Sequence, residues 1–506
     1  MSPQTLALYL LPEAALEPLM TASVSGLAAR LVWQEGSSAF QVRDSFDQRL
    51  RSSGRLLVES EGLLELLRPA GAPLVQRGAA EVRFVSDLPE GPVKGALSDL
   101  SSLRCLLPVG AGTLRRGTLS LLDDEGKTQA RAQLIELAAT GGGTVLVLQL
   151  QGLRGYDKAL QRLRTMVEDA GGTALGEAGL YAKLFPGLID YTPKPVVSLD
   201  RETGAFDAAS DIIAAYLQVA RANEAGVIAD DDTEFLHDYR IALRKVRSVL
   251  SLFRDVYDAE LTAGLKARFS ALMAPTGRLR DLDVYLLERD GFYAMVPASL
   301  HGGLDRMFAL FAQERTGEHQ SLAAHLRSTA YRKEIKALIK LFDKRKKLAK
   351  GAKADLPAYD FACKLIWKRY RRICAIAEGI DEGTPDHEVH ELRIHCKKLR
   401  YLMEFFAPLF PAKPFKQIIK PLKKLQDNLG LFNDYSVQQE SLQAFLGRLE
   451  GATPDNLQIA QSVGALVLVL HDRQMAERAR VAGSFAAFNS AETRQTFRDL
   501  FHGGKP

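Results

Sequence analysis

His237, Arg240, Arg244 and Arg247 follow one another at steps of three and four residues, and so do His390, Arg393, Lys397 and Arg400. Side chains spaced this way stand on one face of an α-helix, stacked over roughly 15 Å. Such a row has many hydrogen-bond donors and, its histidines apart, no acceptors, so its chemistry is the binding of an extended anion. The two rows are copies of one another. His237-Asp-Tyr-Arg240-Ile241-Ala-Leu-Arg244-Lys245-Val-Arg247 returns 153 residues later as His390-Glu-Leu-Arg393-Ile394-His-Cys-Lys397-Lys398-Leu-Arg400. A second motif keeps the same shift: Gly277-Arg-Leu-Arg280-Asp281-Leu-Asp283-Val284 and Gly430-Leu-Phe-Asn433-Asp434-Tyr-Ser-Val437. An identical 44-residue interval between motifs in both copies implies a duplicated architecture.

Each row needs a helix with an apolar back. Tyr239, Leu243, Val246, Leu250 and Phe253 fall opposite the first row, and Leu392, Leu399, Met403 and Phe406 opposite the second. Like charges at i, i+3 and i+4 cost an isolated helix a few tenths of a kcal/mol per pair, so a duplicated row that keeps them points to a ligand. His237 and His390 are matched donors at the start of each row. Asp281 and Asp434 are either helix caps or exposed acids, or else carboxylates that hold a guanidinium by a bidentate pair. Between Arg327 and Arg372 sixteen Lys and Arg face four Asp and Glu. Arg332, Lys336, Lys368, Arg369 and Arg372 from this stretch, with Lys416, Lys420 and Lys423 at helical spacing further on, extend the candidate binding surface. The run Lys344–Lys347 reads as a solvated face.

The chain has 506 residues, 46% hydrophobic and 25% charged, as in an ordinary globular protein large enough for two or three domains. Residues 1–200 carry 20 Lys and Arg against 22 Asp and Glu, whereas 201–506 carry 46 against 39 and hold all nine histidines. The basic chemistry is therefore confined to the second part. Cys105, Cys363, Cys374 and Cys396 form no paired spacing, which fits a reducing compartment. The N-terminus has no basic segment ahead of its apolar stretch, and no apolar run is long enough to span a bilayer. The expectation is a cytoplasmic protein with no membrane contact.

Segments of strand character fill residues 1–184: LALYLL, RLVWQ, FQVRDSF, GRLLVES, EVRFVS, GTLSLLDD, RAQLIELAA and TVLVLQLQ. Helices are expected near Leu97–Leu103 and Gly155–Asp169. The reading is an α+β domain on an antiparallel sheet, possible in closed form. Residues 185–205, with three prolines and two glycines, read as a linker. From 206 to 506 the periodicity is helical, in halves of about 206–350 and 355–506. Ala259–Glu288 and Leu322–Leu348 are each expected as one helix, and Gly226 and Gly379 as matched turn elements.

The duplicated His-x-x-Arg-Ile-x-x-[Arg/Lys]-Lys-x-Arg helix, with Arg280-Asp281-Leu-Asp283-Val284 and Asn433-Asp434, resembles the CHAD family, the conserved histidine α-helical domains, over roughly 205–500. The resemblance implies two tandem helical bundles related by a pseudo-twofold axis, enclosing a basic channel that binds inorganic polyphosphate. It further implies association with polyphosphate granules. Carried over, the ligand contacts are His237, Arg240, Arg244, Lys245 and Arg247 in one half, and His390, Arg393, Lys397, Lys398 and Arg400 in the other.

The N-terminal part is similar to CYTH domains, the triphosphate tunnel fold, in degenerate form. The similarity rests on Ser45-Phe46-Asp47 with Leu50 and Gly54, Leu114-Arg-Arg-Gly-Thr-Leu119, Asp123-Asp124-Glu125-Gly126 and Tyr181-Ala-Lys183. That family opens on an alternating Glu-x-Glu-x-Lys strand that binds divalent metal. Here the strand reads Thr5-Leu6-Ala7-Leu8-Tyr9-Leu10, and a later acidic strand reads Val145-Leu146-Val147-Leu148-Gln149-Leu150. Without carboxylates a hard cation has no ligands, so no enzyme activity, no metal and no cofactor are expected. Arg104, Arg115 and Arg116 read as surface charge. His387, His390, His395 and Cys396 make no clear metal quartet. Two rivals remain: nucleic-acid binding through the same basic face, and a residual triphosphatase. Against the first, aromatics are not interleaved along the rows, Trp367 and Tyr370 excepted. No pattern in the chain speaks to oligomeric state.

Overall fold

The computed structural model describes residues 8–21, 23–24, 26–78, 81–175, 179–381 and 383–502. Positions 5–7 of the opening strand segment lie outside them. The chain divides into two compact units, Met1–Thr192 and Pro193–Pro506.

The first unit is one curled antiparallel sheet. Its strands are β1 (Leu8–Leu11), β2 (Ser23–Val24), β3 (Leu27–Trp33), β4 (Ser38–Ser45), β5 (Leu56–Ser60), β6 (Leu63–Leu67), β7 (Leu74–Arg77), β8 (Leu106–Leu122), β9 (Thr128–Ala139), β10 (Thr144–Gly152) and β11 (Thr173–Ala174). They run in the order β11-β1-β10-β9-β8-β4-β5-β6-β7, with β3 also paired to β8. The path is open among the described residues. Alternation sends Leu8 and Leu10 to one face and Tyr9 and Leu11 to the other, and both faces are apolar. On one, Leu8 and Leu10 pack with Phe40, Val42, Leu114, Val145 and Val147. On the other, Tyr9 and Leu11 pack with Leu146, Leu148 and the helix Asp157–Asp169.

Two expectations fail here. EVRFVS is no strand: the Asp87 carboxylate accepts the backbone N–H of Arg83 (3.0 Å) and Phe84 (2.7 Å) and turns Val85–Asp87 into a 3-10 helix. The helix expected near Leu97–Leu103 lies earlier, at Pro92–Ala96, where proline sits at a first-turn position.

The second unit is helical. Its first half holds α1 (Ala205–Ala229), α2 (Thr233–Leu252), α3 (Ala259–Met273), α4 (Gly277–Leu287), α5 (His301–Arg327) and α6 (Thr329–Lys344). Its second half holds α7 (Ala358–Ala377), α8 (Asp386–Phe406), α9 (Ala412–Leu446), α10 (Pro454–Ala479), α11 (Val481–Phe488) and α12 (Ala491–Phe501). The single helix expected over Ala259–Glu288 is broken by the 3-10 turn Ala274–Thr276, whereas its repeat α9 runs on as one helix through Pro421 and Gly430. Leu322–Leu348 is also broken, because the Ser328 hydroxyl caps α6 by accepting the Tyr331 N–H (3.1 Å). Gly226 is not a turn. It lies within α1, where a Cβ would come 2.3 Å from the Phe235 ring, so glycine there lets α1 close on α2.

Residues 153 apart touch each other, which marks the pseudo-twofold axis. Phe253 stacks on Phe406 at 5.0 Å with an interplanar angle of 9°. The Tyr285 hydroxyl donates to the Gln438 carbonyl at 3.3 Å. Around the second contact a core of Leu282, Phe308, Phe311, Leu442, Phe445 and Val463 joins α4, α5, α9 and α10.

Candidate functional site

The α2 row is fixed at both its start and its back. Asp232 caps the helix by accepting from Glu234 N (2.9 Å) and Phe235 N (3.2 Å). Behind the row, Tyr239, Leu243, Val246 and Val249 are fully buried. On α8, Val389, Leu392, Leu399, Met403 and Phe406 do the same, and Arg478 grips the Asp386 carboxylate in its first turn.

So held, the two rows meet. Arg244 of α2 lies near enough to Arg393 and Lys397 of α8 to act on their charge. Arg244 and Lys397 are repeat equivalents, so this meeting too lies at the axis. Arg240 is close to Arg244 and also to Arg280 of α4. Burial and then these like charges pull Arg240 and Arg393 below the usual arginine range. Lys397 falls to about 8, through burial first and then Arg244, Arg393 and Arg400. Two guanidinium nitrogens in the cluster, Arg240 Nε and Arg280 Nη1, are buried without an acceptor among the described residues. Arg240 Nη1 donates to Thr276 Oγ1 at 2.5 Å, which anchors the guanidinium to the α3–α4 turn.

The matched carboxylates stand beside matched arginines. Asp434 lies 3.7 Å from Arg393 by one oxygen, so the contact is single and not the bidentate grip expected. Asp281 acts on Arg240, Arg278 and Arg280, and burial raises its carboxyl above the usual range despite them. Asp283 has a different task. Almost wholly buried, it accepts from Arg315 Nε (2.8 Å), whose other nitrogens bridge both oxygens of Asp230 (2.7 Å each). This ties α5 to α4 and to the end of α1.

The other expected residues have differing surroundings. His237 and His390 open their helices, half-exposed and exposed. Arg247 is exposed, and its Nη1 contacts Met273 Sδ of α3 at 3.5 Å. Lys245 does not join the row. Its ammonium is buried in the α2–α8 seam, paired with Glu404 and 3.9 Å from the Tyr401 ring centre, because it falls about 100° round the helix from Arg244. Arg332 and Lys336 line a cleft of about 680 Å³ with Arg221, Arg327, Ile228 and Ile335, on the α1–α5–α6 side. Lys398 and Arg369 meet each other on another flank of α8, with Arg372 beside Arg369. Lys368 is exposed on α7. Lys416, Lys420 and Lys423 are exposed on α9, within about 40° of the direction of Asp434, and so prolong that face.

Arg280 belongs to the cluster yet escaped the reading by repeats, because its counterpart is the uncharged Asn433. Tyr401 also escaped it. Its hydroxyl lies close enough to Arg244 to feel its charge, and its ring lies against Lys245. In the sheet unit, Arg116 pairs with Glu65 (2.5 Å) beside Gln133 and Gln149, and Arg115 stacks on Trp33 at 4.2 Å. Arg104 is buried, not a surface charge. No group of three or more metal-ligating side chains comes together among the described residues, and no described helix is long and apolar enough to cross a membrane.

A family model described as the CHAD domain matches residues 211–443. Two curated sequences of Mycobacterium tuberculosis, both called uncharacterized, from strains CDC 1551 and H37Rv, are 26% identical over 299 residues, 56% of this chain and 53% of theirs. The chain thus spans about half the length of the curated relatives it matches. Among solved structures, the CHAD domain from the plant Ricinus communis aligns at a TM-score of 0.43 and 23% identity, covering 62% of this chain and 96% of that one. PptA from Streptomyces chartreusis aligns at 0.39 and 15%, covering 58% and 99%.

Proposed function

We propose, on the match of residues 211–443 to the CHAD domain model, that the chain binds inorganic polyphosphate along the cation rows of α2 and α8 and does not hydrolyse it. One observation supports this above the rest: Arg240, Arg244 and Arg280 from one half and Arg393, Lys397 and Arg400 from the other form one cluster. A linear chain of phosphates can present an oxygen to each donor in turn, including the unmatched nitrogens of Arg240 and Arg280. Asp281, Asp434 and Glu404 offset only part of the repulsion among those six cations, and a polyanion removes more of it. Asp281 and Asp434 orient guanidiniums in this reading and do not compete for the ligand.

The test is calorimetric titration of the full chain with polyphosphates of defined length. Affinity should rise with chain length and fall steeply with salt, by analogy with nucleic-acid phosphates. Competition with single-stranded RNA at matched charge decides the rival, and displacement of polyphosphate by RNA would sink the proposal. The apolar lining of the sheet supports the further reading that this unit carries no triphosphatase. Phosphate release from tripolyphosphate with Mg²⁺ or Mn²⁺ would overturn it. Association with polyphosphate granules belongs to the same proposal, and is checked by co-localisation that a channel variant loses.

A further inference from the structure

Lys245 and Lys398 are repeat equivalents with opposite surroundings. Lys245, from the first half, is neutralised by Glu404 of the second. The twofold would pair Lys398 with residue 251 of the first half, but that residue is Ser251, and one turn on comes Arg254. The charges that act on Lys398 are Arg369, Arg254 and Glu391. Those that act on Arg369 are Arg254 and Arg372, cations both. Glu391 is already engaged by Arg372 at 2.9 Å. Four cations from both halves thus lie within electrostatic reach of one another, and the one carboxylate among them is already committed.

His395 completes the cluster. Arg369 Nη1 lies 2.9 Å from His395 Nδ1. A guanidinium can only donate, so Nδ1 accepts and the ring proton sits on Nε2, toward Glu391 Oε1 at 3.6 Å. The ring is thereby held neutral against Arg369. Burial, followed by Arg369 and Lys398, brings His395 down to about 4; Glu391 pulls the other way and Arg372 adds to the fall. His387 acts on Glu391 from the first turn of the same helix. Lys398 and His395 are turned about 100° or more around α8 from Lys397 and Arg393, so this cluster faces away from the channel row.

We propose that Arg254, Arg369 and Lys398, with His395 held against Arg369, form a second anion site, separate from the channel and suited by its charge to a single phosphoryl group. This site is independent of the polyphosphate reading, since it follows from a broken symmetry of charge. A row along a helix suits a chain, whereas cations converging from the end of α2, from α7 and from α8 suit a compact dianion. Inorganic phosphate, pyrophosphate and one residue of a longer chain share that chemistry.

The experiment follows the His395 ring by NMR in the full-length protein, assigned with His395→Gln. It is titrated from pH 4 to 7 at constant ionic strength with orthophosphate, pyrophosphate, long polyphosphate or chloride. An anion beside Arg369 and Lys398 cancels their effect, so the His395 midpoint should rise by about one unit, roughly a tenfold coupling. Arg244→Gln/Lys397→Gln should keep that rise, and Arg369→Gln/Lys398→Gln should remove it. A response to orthophosphate assigns the site to free phosphate, and a response to polyphosphate alone assigns it to a chain segment. No response to any phosphoanion, an equal response to chloride, or loss of the response in the channel variant would overturn the proposal. Arg254→Gln, at an exposed position, should weaken the response about fivefold should the double variant fold poorly.

Discussion

The two units handle charge in opposite ways. In the sheet, period-two alternation delivers leucine and valine to both faces, and the surface lined by Leu8, Leu10, Val145 and Val147 is a hydrophobic core. In the helical unit, the 3.6 period buries one side of α2 and α8 and leaves the other lined with arginine and lysine that repel one another. The first arrangement stabilises itself; the second holds like charges together at a cost. The helical unit gathers like charges on one face at a cost to the free protein, which is where binding is to be sought.

The hardest test of this contrast restores charge to the sheet. Leu10→Glu should cost about 4 kcal/mol or more, since it removes a buried leucine and buries a carboxyl among apolar neighbours. Leu10→Val should cost about 1 kcal/mol. Urea unfolding followed by the β-sheet signal measures both. A tolerated glutamate would mean that the surface is an open site and not a core.

The converse change in the helical unit should spare the fold and remove the ligand. Arg244→Glu with Lys397→Glu should weaken polyphosphate binding at least 100-fold, about 2.7 kcal/mol, with helicity unchanged. Unchanged affinity would refute the assigned face. A smaller effect separates the two lysines that follow the rows. Glu404→Gln strands the buried Lys245 ammonium and should destabilise by roughly 1–3 kcal/mol, less than a fully buried pair because the Glu404 side chain is 39% exposed. Lys398→Met should change stability by no more than about 0.5 kcal/mol or raise it, because it removes a repelled charge.

These lysines also show where sequence stops being informative. Periodicity placed both rows on their helix faces and both apolar backs in the core, because those depend on local geometry alone. The 153-residue shift reveals the duplication, whereas the twofold is implied by the resemblance and seen in contacts such as Phe253 on Phe406. It could not separate Lys245 from Lys398, since what differs is the residue across the axis, Glu404 against Ser251. It also grouped Arg332, Lys336, Arg369 and Arg372 with the channel because they are basic, whereas helix order sends them to other sides of the unit. Conversely, Arg280 is legible only once α4 is seen beside α2. The strand EVRFVS failed for a similar reason, since one carboxylate at Asp87 captures two backbone donors that a propensity scale assigns to a ladder.

The mildest prediction uses the same repulsion as a pH signal. Lys397 titrates near 8 in the folded chain, against an ordinary value of 10.5, through burial and then its cationic neighbours. Below pH 8 both folded and unfolded forms carry the proton, and the fold bears the full repulsion. Between about 8 and 10.5 only the unfolded form keeps it, so Lys397 adds stability as pH rises through that window. Binding runs the other way, because the neutral amine no longer attracts phosphate. From pH 7 to 9 polyphosphate affinity should fall about fivefold at fixed salt while this residue's share of stability increases. Lys397→Arg should flatten the binding profile, since a guanidinium keeps its proton throughout. Lys397→Met should remove that share of the rise, measured by denaturant unfolding. Opposite slopes in the wild-type chain, both reduced at one residue, would separate a cation held for a ligand from a solvated lysine, which gives neither.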